Sequence, residues 1–569
     1  MFLPTTRKEV VDRGWDSLDV ILVSGDSYID SPYIGTAVIG KHLERHGFKV
    51  GIIAQPDTNN MDDIGRLGEP GLFWGVTAGC VDSMVANYTA LKKKRRTDDY
   101  TPGGVNNRRP DRASIVYTNL IRRYTNTLHI NTKTKPIVLG GIEASLRRIA
   151  HYDYWSNRIR RSILFDAKAD YLLYGMAEAA TLEFAFLMKS QQDPRSVKGL
   201  CYISKGKPDG YLEIPSFESV DNDNDTFTDM FHLFYKNNDP KTARGLIQAH
   251  GDRYLVQNPP HEYATQVELD DIYSLNFEYE QHPYYEKMGK VKALDTIKFS
   301  ISTHRGCYGE CNFCAIAVHE GRTIRWRSEN SIIKEAKILT KLDGFKGYIH
   351  DVGGPTANMF GYECKKKLKS GSCEDRRCLF PEICPALKAD HSPYTNLLVE
   401  LRKLNGIKKI FVGSGIRYDL LASDNLHGED LIKEISNHHV SGQLKIAPEH
   451  IQDFVLEKMG KTNHENLLWF KQEFDDFSRA AGKKQFLTYY FIAAHPGCTV
   501  NDMQKLRNFS DSTLKIHPEQ VQIFTPTPST YSTLMYYTEK DPFTGEALFV
   551  EKDPKHKQEQ KNILVEKNV

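Results

Sequence analysis

Along the first third of the chain, short apolar runs alternate with stretches of helical spacing. Asp19 to Ser24 (DVILVS) is almost continuously apolar, the pattern of a strand buried on both faces of a parallel sheet. Thr36 to Phe48 (TAVIGKHLERHGF) follows with helical periodicity, and Val50 to Ala54 (VGIIA) predicts a second strand. Leu72 to Thr77, Pro136 to Gly140 and Tyr171 to Tyr174 continue the strands. Val81 to Lys93, Ala113 to Thr125 and Ala177 to Met188 read as the helices between them. This order predicts an open, doubly wound α/β sheet. Val197 to Ile214 reads as a hairpin about a Gly/Pro/Asp turn, and the Asp- and Asn-rich run Val220 to Asp225 as a surface loop. Asp270 to Met288 is rich in tyrosine with little periodicity, the pattern of a linker.

The second half alternates more regularly. Ile297, Phe299 and Ile301 alternate with polar residues and predict a strand. Helices are expected over Ser328 to Leu342, Leu397 to Leu404, Glu429 to Ser436, Asn466 to Ala480 and Met503 to Leu514. Strands are expected over Gly347 to Asp351, Lys409 to Gly413, Leu444 to Ala447, Phe486 to Ala493 and Val521 to Phe524. Six strands with intervening helices suit an incomplete (βα)6 barrel. The charged segment Thr538 to Val569 reads as a mobile tail or a poorly packed terminal helix.

Composition narrows the class. At 569 residues the chain is long enough for several domains. Charged residues are 26% and hydrophobic ones 40%, a soluble balance, and the net charge of +2 gives no general surface for polyanions. Lys92 to Arg96 and Arg158 to Arg161 are basic clusters that read as solvated faces. The start, MFLPTTRKEVVDRGW, has no signal-peptide core and no segment approaches a membrane span, so a cytoplasmic location is expected.

Of the ten cysteines, seven lie between Cys307 and Cys384, a concentration that points to metal chemistry. Cys307, Cys311 and Cys314 form C-x3-C-x2-C directly after the predicted strand. Soft thiolates select iron–sulfur clusters or zinc. Three ligands leave one iron of a cubane open, whereas structural zinc wants a fourth ligand, for which His304 or His319 could serve. Cys364, Cys373, Cys378 and Cys384 share a lysine-rich insertion. Their spacings of x8, x4 and x5 lack C-x2-C pairs, and a second iron–sulfur cluster, zinc and free thiols all remain open. Cys201 alternates with apolar neighbours as a buried small residue would. At the predicted strand ends of the first half stand Gly25-Asp26, Gly140-Gly141 with Glu143, and Gly175. They suit either close approach of a ligand or plain tight turns. At those of the second half stand Gly353-Gly354, Ser414, Arg417, Glu449, His450 and His495. These are places for catalytic groups or for ordinary ion pairs.

IKFSISTHRGCYGECNFCAIAVHEGRTI, DVGGPTANMFG, GSGIRYDLL, LKIAPEH, YYFIAAHPG and, earlier, GGIEASLRRIAHYDYW together resemble the YgiQ-type radical S-adenosylmethionine (SAM) proteins, from about Asp19 to Tyr537. The resemblance implies a radical SAM enzyme that cleaves SAM reductively at a site-differentiated [4Fe-4S] cluster and generates a 5′-deoxyadenosyl radical. It implies a low-potential electron donor of flavodoxin or ferredoxin type. Cys307, Cys311 and Cys314 would be the cluster ligands, with Gly353 and Gly354 on the SAM amino group and Phe313 beside adenine. Arg417, Glu449 and His495 would contact SAM or substrate. The implied organisation is an N-terminal cobalamin-binding-like, Rossmann-type domain (1–269), a linker (270–292), a partial radical SAM barrel (293–537) with the cysteine-rich insertion at 361–391, and a tail (538–569). The first domain departs from the cobalamin pattern Asp-x-His-x-x-Gly: Asp30-Ser31-Pro32-Tyr33-Ile34-Gly35 places proline where the cobalt-ligating histidine would stand. A methylthiotransferase acting on RNA fits less well, because only Cys80 and Cys201 lie in the first domain. A non-catalytic iron–sulfur protein for electron transfer or scaffolding is the alternative of a different class.

Overall fold

Val20–Ser24 (β1) is buried along its whole length, which explains why it shows no apolar–polar alternation. In the computed structural model, which describes residues 1–80, 82–128 and 134–566, the chain forms two compact units. One is Met1–Tyr263 with Asp271–Lys298, the other Ala264–Asp270 with Phe299–Val569.

The first unit is built on a nine-stranded sheet. Its parallel part comprises β1, Val50–Ala54 (β2), Phe73–Thr77 (β3), Ile137–Leu139 (β4) and Tyr171–Leu173 (β5), in the order β2-β1-β3-β4-β5. Val20 stands opposite Val50 on one side and Phe73 on the other. Gly35–Arg45, Ala113–Leu128 and Glu178–Lys189 are the main helices between these strands.

In this unit four expectations give way. Leu200–Ser204 (β6) and Leu212–Ile214 (β7) do not pair with each other. β6 lies antiparallel between β5 and Arg253–Gln257 (β9), and β7 runs parallel to Leu246–His250 (β8). The actual hairpin is β8–β9, whose two-residue turn begins with Gly251 at φ +68°. The run around Val220 is helical: Phe217–Asn222 ends and Asn224–Lys236 begins at Asp223, whose carboxylate accepts from Thr226 N. The helix expected over Val81 to Lys93 is shorter, Ser83–Asn87, and Val81 lies outside the described residues. Asn87 ends it by turning its amide to Arg109 O and to Asp111. Residues 270–292 carry structure of their own, since Glu280–Gln281 pairs with Ile29–Asp30, and Tyr285 OH accepts from Ala54 N and shares a hydrogen bond with Thr5 Oγ1.

In the second unit, Ser300–Ser302 (β10) is shorter than the alternation suggested, because Ile297 closes the helix Ala293–Ile297. β10 pairs in parallel with Asp351–Gly353 (β12), and Tyr348–Ile349 (β11) with Lys409–Ile410 (β13). Gln443–Glu449 (β14), Phe486–Ala493 (β15) and Gln520–Ile523 (β16) form a parallel trio, joined to the region after β13 by a single Ile416–Ile446 bridge. Six parallel strand positions thus follow one another in chain order, with helices Glu329–Leu339, Ser392–Arg402, Gly428–Glu434, Glu465–Ala480 and Val500–Phe509 between them. The fold is α/β throughout, a doubly wound sheet followed by a partial barrel.

The charged C-terminal segment is packed rather than loose. Pro554–Val565 forms a helix with Lys557, Gln560 and Leu564 buried. Gln560 accepts from Ala494 N at 2.9 Å, and Arg507 donates to Glu566 O at 2.8 Å. Among the described residues, no helix is long and apolar enough to cross a membrane.

Candidate active site

The cysteine loop is the tip of a two-stranded ribbon, His304–Arg305 against Arg325–Trp326. Gly306 enters it at φ +85°, and a β-carbon there would lie 2.5 Å from Thr323 O, so only glycine serves. The far side is tied down by Asn312, whose backbone N donates to Met459 O and whose side chain donates to Lys458 O and accepts from Arg377. Cys314 N closes a turn on Cys311 O at 2.9 Å.

Two of the thiols meet at Gly309. The point where a β-carbon on this glycine would sit is 3.2 Å from Cys307 Sγ, 3.5 Å from Cys311 Sγ and 3.1 Å from Arg417 Nη1. Gly309 N donates to Cys307 Sγ at 3.3 Å and Arg417 Nη1 to Cys311 Sγ at 3.7 Å. Burial raises the Cys307 thiol to about 11, with the neighbouring Cys311 adding to it, and burial and the same neighbours raise Cys314. A bound cation opposes each of these effects, because it favours thiolate. Among the described residues, no three His, Cys, Asp or Glu side chains, those of Cys307, Cys311 and Cys314 included, converge closely enough for a single metal ion.

Arg417 is held in place by Asp419, which it grips through Nε at 2.9 Å and through Nη2. Glu449 stands at the end of β14 at φ +68°, a conformation uncommon for a residue with a side chain, and its carboxylate lies 4.0 Å from Lys461 Nζ. Burial raises its pKa, opposed by Lys461 and then Arg417. The glycine pair follows β12. Gly353 O accepts from Thr303 N at 2.7 Å and Thr303 Oγ1 at 3.1 Å. A β-carbon on Gly353 would meet Ser414 Oγ at 2.7 Å, and one on Gly354 would meet His304 Cε1 at 2.6 Å. Phe313 lies edge-on to His495, ring centroids 6.4 Å apart.

Cys364, Cys378 and Cys384 pack with Cys307 about one apolar cluster centred on Tyr308, Leu379 and Leu387, while Cys373 is half-buried. Lys367 Nζ lies 3.4 Å from Cys378 Sγ. The sequence reading did not single out Asp419, Lys461 or Gly309. Asp419 stands two residues after Arg417 in GSGIRYDLL, a spacing that could have suggested the pair.

His495 shows how tightly this end of the barrel is closed. Its Nδ1 bonds Pro496 O at 2.8 Å and its Nε2 bonds Ser532 Oγ at 2.7 Å, and burial lowers its pKa from 6.5 to about 3. With the folded pKa below the unfolded one, the stabilisation is fully present above pH 6.5 and drains away as pH falls towards 3. His495→Asn is expected to lose stability less steeply than wild type below pH 6.5, read from urea midpoints. Parallel pH curves would contradict this.

A ribbon of three cysteines on a partial parallel barrel, following a doubly wound domain in the chain, defines the radical SAM class of enzymes. A family model for the radical SAM N-terminal region matches residues 2–300. The chain belongs to the UPF0313 (YgiQ) family: it is 58% identical over 566 residues to a UPF0313 protein of Fusobacterium nucleatum, covering 100% of this chain and 99% of that one. A UPF0313 protein of Thermotoga petrophila is 48% identical over 571 residues, with the same coverage of 100% and 99%. Among solved structures, the cobalamin- and [4Fe-4S]-containing methyltransferase TsrM of Kitasatospora setae matches with TM-score 0.50 at 14% identity, covering 91% of this chain and 78% of that one. OxsB with aqua-cobalamin matches with TM-score 0.50 at 12% identity, 95% of this chain and 58% of that one. These two likenesses show the fold.

Proposed function

We propose that this enzyme cleaves SAM reductively at a [4Fe-4S] cluster held by Cys307, Cys311 and Cys314. The observation that carries the reading is the meeting of two of these thiols and a fixed guanidinium around Gly309. When bound, the cluster and SAM supply the electron and the cleavable carbon–sulfur bond from which the 5′-deoxyadenosyl radical comes. The chain's residues supply position and charge. Arg417, oriented by Asp419, donates towards Cys311 and offsets the negative charge of the thiolates. Gly353 and Gly354 are the proposed contacts for the SAM amino group, and Phe313 is the proposed neighbour of adenine. A low-potential flavodoxin or ferredoxin is the proposed electron donor. Anaerobic reconstitution with SAM and dithionite is expected to release 5′-deoxyadenosine. Intact SAM beside a fully loaded cluster would favour the electron-transfer alternative.

Two further outcomes follow. Arg417→Met is expected to keep its iron and to lower SAM cleavage about 10- to 100-fold, as loss of a ligand's supporting partner does elsewhere, with Arg417→Lys in between. An unchanged cleavage rate and cluster potential in Arg417→Met would remove this role. The insertion is proposed as a second metal centre, on the ground that Cys364, Cys378 and Cys384 all pack on the same apolar cluster. A Cys307/Cys311/Cys314 triple alanine variant should then retain about four iron per chain with matching sulfide. Iron-free protein with four alkylatable thiols in the insertion would show that they are structural.

A further inference from the structure

A doubly wound sheet of order 2-1-3-4-5 binds ligands outside the carboxyl ends of its strands, at the switch point between β1 and β3. In this chain that crevice is closed by the chain itself. A β-carbon on Gly25, just after β1, would fall 2.0 Å from Ala78 O, just after β3, so the two loops are already in backbone contact. Asp26 then fills the switch point. It accepts from Cys80 N at 2.6 Å and from Arg109 Nη2 at 2.6 Å. Arg109 also reaches Asp98 at 3.2 Å, and the side chains of Arg109, Asp26 and Asp98 are 0%, 1% and 4% exposed. Gln55, after β2, extends the closure by donating to Gly25 O at 2.9 Å and to Thr101 Oγ1 at 2.7 Å. Ser27 N donates to Tyr100 O at 3.0 Å. On the β4 side, a β-carbon on Gly141 would sit 2.3 Å from Thr77 Oγ1.

The loop that carries the cobalt ligand in the cobalamin pattern is used internally as well. Proline occupies position 32, Asp30 is buried against Lys41 at 3.0 Å, and the backbone of Ile29–Asp30 is paired with Glu280–Gln281. Arg109 Nε and Nη1, Gln55 Oε1, Ser27 Oγ, Asp30 Oδ1 and Tyr117 OH are buried without a protein partner. Buried donors and acceptors of this kind take ordered water.

We propose that the strand ends of the first unit are sealed by an Asp26–Arg109–Asp98 ion-pair core, and that this unit binds no corrin although its fold neighbours do. The residues do not fit cobalamin, because the crevice and its ligand loop are both occupied by the chain. The unit therefore brings no cobalt to the reaction.

The test uses the full chain, reconstituted anaerobically with iron and sulfide and incubated with hydroxocobalamin, followed by gel filtration. Cobalt is measured by mass spectrometry and cobalamin by absorbance, beside a TsrM-type control that must retain it. Hydrogen exchange over residues 20–35 and 76–112 is followed with and without hydroxocobalamin. The expected result is cobalt far below one per chain and unchanged exchange. One cobalt per chain, with exchange slowed over those segments, would overturn the proposal. Release of 5′-deoxyadenosine, measured on the same sample, reports the cluster reading separately, so either can fail while the other stands.

Discussion

Replacing Cys307, Cys311 or Cys314 by alanine is expected to abolish 5′-deoxyadenosine release. The three thiols belong to one ribbon tip, and the backbone around them is fixed by hydrogen bonds to Gly321, Met459 and Arg377. Alanine at any one position leaves that backbone in place, so loss of activity reports on the ligand and not on folding. With two sulfurs left, a cluster that needs three protein ligands and one open iron becomes labile. Iron and sulfide at the primary site should fall together, while the circular dichroism spectrum and the urea midpoint stay near those of wild type. Wild-type SAM cleavage by any one of the three variants would falsify the assignment of that cysteine.

Arg109→Met should be the most damaging single change in the first unit. It removes the cation between Asp26 and Asp98 and leaves two carboxylates buried together, a loss of about 3–5 kcal/mol for a broken buried pair. Burial already raises the Asp26 pKa against the pull of Arg109, and without the arginine it rises further. A carboxyl whose folded pKa lies above its unfolded one favours the folded state at low pH and loses that advantage as pH rises. The variant should therefore recover stability on mild acidification, and Asp26→Asn in the Arg109→Met background should restore part of the loss at neutral pH. The chain has two units, so the local measure is hydrogen exchange around Cys80, whose amide is bound to Asp26. Exchange in Arg109→Met as slow as in wild type would show that the pair contributes nothing.

The order of strands and helices was written in the sequence wherever burial is complete on one face or both. β1, β2 and β15 fall within a residue of their apolar runs, because in a buried strand every solvent-averse residue must lie inside the ladder. The C-x3-C-x2-C spacing likewise depends on a few neighbouring residues, and the local chain is enough to display it. Partners chosen from far along the chain were not legible. Leu200–Ser204 and Leu212–Ile214 look like a hairpin locally, but each finds a better ladder in β9 and β8. The run around Asp223 is polar enough for a loop, but Phe227, Met230, Phe231 and Phe234 beyond it bury one helical face. The C-terminal segment is charged, and it is ordered by Gln560, Lys557 and Arg507, which satisfy backbone and side-chain groups more than twenty residues away. Arg417 was legible as a strand-end residue, and only the tertiary structure set it against Cys311 and gave it Asp419. The switch-point glycines show the same limit most clearly. A glycine after a strand permits close approach, and the sequence cannot say whether a ligand or the chain approaches. Here Ala78 and Thr77 come to Gly25 and Gly141, because Arg109, eighty-three residues beyond Asp26, neutralises the charge that the closed crevice buries.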